Sequence, residues 1–412
     1  MSCGHGVGSS GSPGPRNRDL ALVSFAMGAS FVAQTMLALA VPLYALELGA
    51  SVASIGVLVS LPFWLPTVLA IPIGRVVSRF GARQTMLVGA AGVTLAPWLT
   101  VAGGGLIGLV ATQVLIGIAQ VSMGISAQAT VAEVGQRGSL ERAFGWYTTT
   151  VSAGQLVGPL LAGVLLERLA APNVFAVAGT IPLACVAAAW SLDSQAAPLD
   201  ARRRSLIGYR DQWLLLRHNA GVQMALLTTL TMLFAFASHA AFFPVYLQGL
   251  SVSPSLIGAL MSIRAFASTL VRPVMPVIVR RLGSRSLAAL ACTAAAALAF
   301  GLTGATSQLV ALATLAALLG LAVGVAQPLA MVALADHVGP GDRPAALGFR
   351  LTVNQAAQVA GPLALGVVAQ LVGVEAMFVL GGLTLVGAVA AVGRLRPAFD
   401  RLEASRAGPV DE

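Results

Sequence analysis

Twelve apolar runs, each long enough to cross a bilayer, decide what this chain can fold into. A membrane-spanning helix needs about 20 apolar residues. Such runs lie at 20–46, 53–78, 84–103, 106–133, 143–167, 173–191, 221–248, 255–279, 286–306, 308–335, 345–371 and 374–393, and are called spans 1 to 12 below. Only 9% of the residues are charged and 57% are hydrophobic, whereas a soluble domain is about 25% charged. In hydrocarbon each backbone N–H and C=O must bond within the protein, so runs of this kind become helices. The expected fold is an all-α membrane protein with twelve transmembrane helices.

The arginines orient the spans. All 24 basic residues are Arg, and no Lys is present. Arg16 and Arg18 precede span 1; Arg79 and Arg83 lie between spans 2 and 3, and Arg137 and Arg142 between spans 4 and 5. Five more, Arg202 to Arg204, Arg210 and Arg217, fall between spans 6 and 7. Arg280, Arg281 and Arg285 lie between spans 8 and 9, Arg343 between 10 and 11, and Arg394, Arg396, Arg401 and Arg406 after span 12. The opposite loops are short, with Arg168 as their only Arg. By the positive-inside rule both termini are cytoplasmic. The net charge of +9 then reports topology, and no nucleic-acid partner is expected. Without Lys the chain cannot build a P-loop.

Organisation follows. Residues 1–19, rich in Gly, Ser and Pro, read as a disordered cytoplasmic N-terminus. Span 1 carries Leu-Ala-Leu-Ala, but it is too long for a signal peptide and reads as a retained helix. Residues 20–191 form one six-helix bundle and 221–393 another, joined by a charged cytoplasmic loop at 192–220 and followed by a cytoplasmic tail, 394–412. Cys3, Cys185 and Cys292 are far apart and form no CxxC pair. They read as packing residues, and no metal, disulfide or cofactor is expected.

The two bundles repeat. Pro42 and Pro244, Tyr44 and Tyr246, Ile55-Gly56 and Ile257-Gly258, and Ser60 and Ser262 are each 202 residues apart. Arg79-Phe-Gly-Ala-Arg83 matches Arg281-Leu-Gly-Ser-Arg285 at the same offset. Further on the offset is 203: Gly145 with Gly348, Gln155 with Gln358, and Gly158-Pro159 with Gly361-Pro362. A register held along most of a half-chain marks a duplicated six-helix unit. Such repeats place a binding site between the halves near the bilayer midplane.

Span 5 contains Gly145, Gly154, Gly158, Pro159 and Gly163. Gly154, Gly158 and Ala162 recur at i, i+4 and i+8, which puts three small side chains on one face and lets another helix approach closely. Pro159 removes a donor and bends the helix.

At this point the chain resembles the major facilitator superfamily, over nearly all its length after residue 19. Gly74-Arg-Val-Val-Ser78-Arg79-Phe80-Gly81-Ala-Arg83 is similar to that family's loop G-x-L-x-D-R-x-G-R-R, with Ser78 in place of Asp. The span-5 residues resemble the signature G-x8-G-x3-G-P-x2-G-G of drug–proton antiporters, with Ala162 for one Gly. Gln113-Val-Leu-Ile116-Gly117 keeps only the Gly of the antiporters' R-x-x-Q-G. The resemblance implies interdomain and gating roles for Gly74, Arg79, Gly81, Arg83, Gly145, Gly154, Gly158, Pro159 and Gly163. It extends the same role to Gly361 and Pro362 in the span-11 twin. It also implies that span 5 packs on span 8 and span 11 on span 2, with spans 1, 4, 7 and 10 around the pathway.

Polar residues inside spans are the candidate substrate contacts. In span 4, Gln113, Gly117, Gln120, Gly124 and Gln128 fall within an arc of about 80°. Such a face meets either a neighbouring helix or a water-filled cavity. Gln34 in span 1 and Gln327 in span 10 are of the same kind. Span 7 puts Thr228, Met232, His239, Phe242 and Tyr246 roughly on one face. His239 either carries a coupled proton or is a neutral packing histidine. Arg264 lies about ten residues into span 8, where an Arg costs at least ~2.5–3.5 kcal/mol. Its counter-charge is either the substrate or a set of carbonyls and amides.

These residues predict a secondary transporter working by alternating access, exporting a small amphipathic drug or metabolite in exchange for protons. The first alternative is a transporter of an organic anion, inward or outward, with Arg264 as counter-charge. A non-transporting membrane receptor or scaffold is the alternative of another class, and an enzyme is not expected. Membrane lipid, a small-molecule substrate and protons are the expected partners, in a monomer of a bacterial inner or plasma membrane.

Overall fold

The computed structural model describes residues 15–136, 139–192, 219–338 and 343–407. Most of the expected disordered N-terminus and of the central loop therefore lies outside the described residues. Among those residues fourteen α-helices follow in order: α1 Pro15–Glu47, α2 Val52–Phe80, α3 Ala82–Gly103, α4 Gly105–Gln136, α5 Leu140–Arg168, α6 Ala171–Thr180 and α7 Leu183–Trp190, then α8 Ala220–Gly249, α9 Pro254–Val271, α10 Met275–Leu282, α11 Arg285–Thr303, α12 Leu309–His337, α13 Arg343–Val372 and α14 Val374–Ala407. Helices α1 to α5 are spans 1 to 5, and α6 with α7 makes span 6. Helix α8 is span 7, α9 and α10 together are span 8, and α11 to α14 are spans 9 to 12.

Eleven spans are long and apolar enough to cross a membrane, and span 2 adds a shorter apolar helix over Val52–Thr67. Two spans break where prolines interrupt the i→i−4 ladder. Span 6 divides at Ile181-Pro182, and span 8 passes through a 3-10 turn at Arg272–Val274 that holds Pro273. Two boundaries also differ from expectation. Helix α1 starts at Pro15, a residue suited to a first turn because it has no N–H to leave unbonded. Residues 394–407, expected in a tail, continue helix α14. That extension is held by Arg396 on Asp400 at 3.4 Å and by Glu403 and Asp400, which accept from Arg285 and Ser286 at the start of span 9.

Within the first bundle span 1 packs on span 5 and span 3 on span 4; within the second, span 7 packs on span 11 and span 9 on span 10. The pairs correspond under the repeat. One apolar core runs through both bundles, from Met27 and Met36 to Phe242, Phe300 and Phe378. A smaller one gathers Met224, Leu334 and Phe399 in the second bundle.

Candidate functional site

The halves meet where span 2 crosses span 11 and span 5 crosses span 8, with spans 1 and 7 also in contact. Both crossings are built from the same pieces. A Cβ at Gly56 would press on the Pro362 carbonyl and lie 3.2 Å from Gly366 Cα. A Cβ at Gly258 would press on the Pro159 carbonyl and lie 3.2 Å from Gly163 Cα. Close approach of this kind trades side-chain volume for backbone contact, which is how helices associate where lipid removes the hydrophobic drive. Polar links follow the second crossing. Ser255 Oγ donates to the Glu167 carboxylate, Ser262 Oγ to Leu156 O at 2.7 Å, and Arg272 Nη1 to Ser152 Oγ at 3.2 Å. The glycine contacts lie toward the end of the molecule that carries the α1–α2 turn, because Gly56 and Gly258 are close to the starts of α2 and α9.

The small-residue stripe of span 5 divides between two partners. Gly154 and Gly158 meet span 1 of their own half: their Cβ positions lie 2.9 Å from Phe31 Cβ and 2.6 Å from Val32 O. Pro159 and Gly163, about 100° around the helix, meet span 8. In span 11, Gly361 likewise faces span 7, where its Cβ would lie 2.6 Å from Ser238 Oγ, and Pro362 faces span 2. A Cβ at Gly145 would meet nothing within 4 Å. In the span 2–3 loop, Gly81 takes φ 87° and its N–H caps Val77 O, a conformation that favours glycine. Arg79 lies over the Phe80 ring, and Arg83 Nη2 donates to Trp190 O at 2.7 Å within the same half. The surroundings of Gly74 lie outside the described residues.

Two glutamines of span 4, Gln113 and Gln120, are occupied by neighbouring helices. Gln113 Nε2 donates to Leu58 O of span 2 at 3.0 Å. Gln120 accepts from Ser30 Oγ at 2.8 Å and donates to Ser30 O at 3.3 Å, both in span 1. These are the bonds of a packed bundle. Gln34 is half-buried and Gln128 exposed.

The second half differs. Arg264 is 5% exposed and His239 1%. Arg264 Nη1 lies 3.1 Å from His239 Nδ1 and donates to Phe236 O at 3.3 Å, and its guanidinium sits 4.3 Å from the Phe236 ring centroid. Arg carries donors only, so Nδ1 must accept. The imidazole is then neutral, with its proton on Nε2, and that N–H has no partner. The ring stacks on Phe243 at 4.2 Å and meets the Phe378 edge at 6.2 Å. Thr228, Met232, Phe242 and Tyr246, expected on the same face as His239, are all buried as well, and Tyr246 Oη donates to Thr306 O.

A second buried arginine went unnoticed in the sequence. Arg350 of span 11 is 8% exposed and its Nη2 donates to Gln327 Oε1 of span 10 at 2.9 Å. Its signal was a charge just inside the apolar stretch that starts at Phe349.

Two duplicated six-helix bundles that touch on glycine–proline crossings, with arginines buried inside spans of the second, define a membrane transporter of the alternating-bundle type. The model of the Major Facilitator Superfamily matches residues 23–308 and 225–409, and the chain belongs to that family. A tetracenomycin C resistance and export protein of Streptomyces glaucescens is 30% identical over 169 residues, 40% of this chain and 31% of that protein. The chain thus spans under a third of that relative's length. Among solved structures, a bacterial homologue of the human lysosomal transporter Spinster, inward-facing and unoccupied, aligns with a TM-score of 0.77 at 14% identity, over 95% of this chain and 99% of its own. The nucleoside transporter NupG aligns with a TM-score of 0.73 at 13% identity, over 93% and 99%. At these identities the likeness is one of fold.

Proposed function

We propose that this transporter exports a small amphipathic compound in exchange for protons. It does so as a monomer in a bacterial inner or plasma membrane, with both termini cytoplasmic. The observation that carries the reading is the His239–Arg264 pair. A neutral imidazole accepts from Arg264 at 3.1 Å. Taking up a proton turns Nδ1 into a donor, so the bond is lost and two cations face each other in a buried site. Protonation therefore drives Arg264 away from span 7, and such a charge-driven rearrangement is what couples a proton to a conformational change. Resemblance over part of the chain to a resistance and export protein supports the outward direction. The glycine–proline crossings supply the faces on which the halves rock about a central site.

Comparative metabolite and resistance profiles of cells with and without the protein identify the compound. Proteoliposomes loaded with it should then release it when a pH gradient is imposed, and His239→Ala should flatten the pH dependence. Movement insensitive to the gradient and to an uncoupler would sink the exchange reading.

One observation favours the organic-anion reading: the guanidinium of Arg264 contacts a ring nitrogen, a carbonyl and an aromatic face, all of them neutral. If the substrate supplies its counter-charge, Arg264→Gln abolishes transport of an anionic compound while the protein remains folded.

A further inference from the structure

We propose that Arg350, Gln327 and Asn354 form a binding subsite for an oxyanion that carries a neighbouring hydroxyl. The inference deepens the proposed transport of an amphipathic compound, and rests on that reading where the oxyanion belongs to the substrate.

The contact between Arg350 and Gln327 fixes both side chains. Since Arg only donates, the oxygen of Gln327 must face Arg350, as it does at 2.9 Å. The amide NH2 is thereby turned away, and it has no partner. Arg350 Nε, on the same guanidinium, is also buried without a partner. One helical turn further along span 11, Asn354 Oδ1 is the third such atom. The Asn354 backbone carbonyl accepts from Gln358 Nε2 at 3.3 Å, so the side chain is the part left over. The cluster therefore offers a charged N–H, an amide NH2 and an amide oxygen, brought together by two helices of one bundle. Asp336, nine residues and about 13 Å further along span 10, accepts from Arg285 at 2.7 Å.

A buried charge without a counter-charge is costly, and each orphaned polar group adds to that cost. An oxyanion relieves two of the three at once by accepting from Arg350 and Gln327. A hydroxyl suits Asn354, because it can donate to Oδ1 or accept from the amide nitrogen. Residues four apart on a helix have Cβ atoms about 5–6 Å apart, so the two groups of the ligand are separated by roughly that distance. Gln327 and Asn354 are half-buried residues whose orphaned atoms are themselves covered, so the cluster lies just beneath accessible surface. A soluble aromatic hydroxy acid and a phosphoglycerol lipid headgroup share this chemistry.

The test uses the full chain in nanodiscs of phosphatidylcholine, with radiolabelled 3-hydroxybenzoate as probe. Saturable binding is expected, with benzoate competing about tenfold more weakly, a loss equal to about one hydrogen bond. Arg350→Gln should abolish binding and Asn354→Leu should weaken it about tenfold. Should Arg350→Gln fail to fold, Arg350→Lys keeps the charge and loses the planar fork; it should still lose binding at an unchanged melting temperature. A second arm titrates phosphatidylglycerol into the nanodiscs. Competition that depends on Arg350 assigns the site to the lipid headgroup, and its absence beside bound probe assigns the site to the soluble anion. Binding that survives all three substitutions overturns the proposal. So does the absence of saturable binding together with no Arg350-dependent effect of phosphatidylglycerol. Failure of gradient-driven release in liposomes leaves this measurement unaffected, so the two readings fail separately.

Discussion

The two halves share a skeleton but differ in chemistry. Each contributes one glycine from its second helix and one proline from its fifth to the surface between them, as Gly56 against Pro362 and Gly258 against Pro159. Inside, the first half ties Gln120 to span 1 and Gln113 to span 2, while the second holds Arg264 and Arg350 on neutral partners. Among the described residues ten buried side-chain polar atoms lack a partner, and nine of them, all but Ser24 Oγ, lie in the second half. Duplication thus reproduced the contacts between the halves, whereas the unspent hydrogen-bonding capacity is concentrated on one side. A site between pseudo-symmetric halves need not draw on both equally. On the proposed function, the first half is a packed wall and the second is the half that would recognise and titrate.

The largest effect should come from the shared skeleton. Gly56→Val and Gly258→Val each drive a branched side chain into the backbone of the opposite half, and overpacking costs about 1–3 kcal/mol even where a core can give way. Both variants should lose more than about 90% of transport, measured in proteoliposomes, and to a similar extent. Gly145→Ala, which meets open space, should change nothing. A twin pair with unlike effects would mean that one crossing bears the motion and the other is ornamental packing.

The next contrast sets equivalent chemistry in the two halves against itself. Gln120→Met removes two bonds to Ser30 and should lower stability by about 1 kcal/mol, without changing 3-hydroxybenzoate binding. Gln327→Glu should do the reverse. It gives Arg350 a carboxylate and raises the melting temperature, and it abolishes binding because the subsite is then filled from within. If both changes cost stability alone, the asymmetry of the halves is one of packing only.

Some of this was legible in the chain and some was not. The spans follow from run length, and the repeat from the 202 to 203 offset, because both depend on composition and order alone. Arg264 stood out because nothing else charged lies near it. Arg350 did not: only five residues past the start of span 11 at 345, it sits where an arginine ordinarily reads as a flanking charge, and its contact with span 10 is something no local pattern reports. The glutamine face of span 4 was visible as a face, but periodicity does not name the neighbour, and spans 1 and 2 proved to be what Gln120 and Gln113 meet. The span-5 stripe shows the same limit, since Gly158 and Pro159 are adjacent in the chain and yet touch different halves.

The smallest effect belongs to the loop arginines, and its character is more informative than its size. Arg83 and Arg285 are equivalent under the repeat but are anchored differently. Arg83 bonds the Trp190 carbonyl at 2.7 Å, whereas Arg285 bonds the carboxylates of Asp336 at 2.7 Å and Glu403 at 3.3 Å. The Arg285 pairs are partly exposed, with side chains 37%, 45% and 28% accessible, so Arg285→Gln should cost less than about 1 kcal/mol. That cost should shrink as salt is raised, because exposed ion pairs are screened over about 10 Å at 0.1 M salt. Arg83→Gln should cost a similar amount that salt hardly alters, since its partner is a dipole and not an ion. Thermal melts of both variants across a salt series separate the two. Equal salt sensitivity would show that the loops, like the glycine crossings, do the same work in each half.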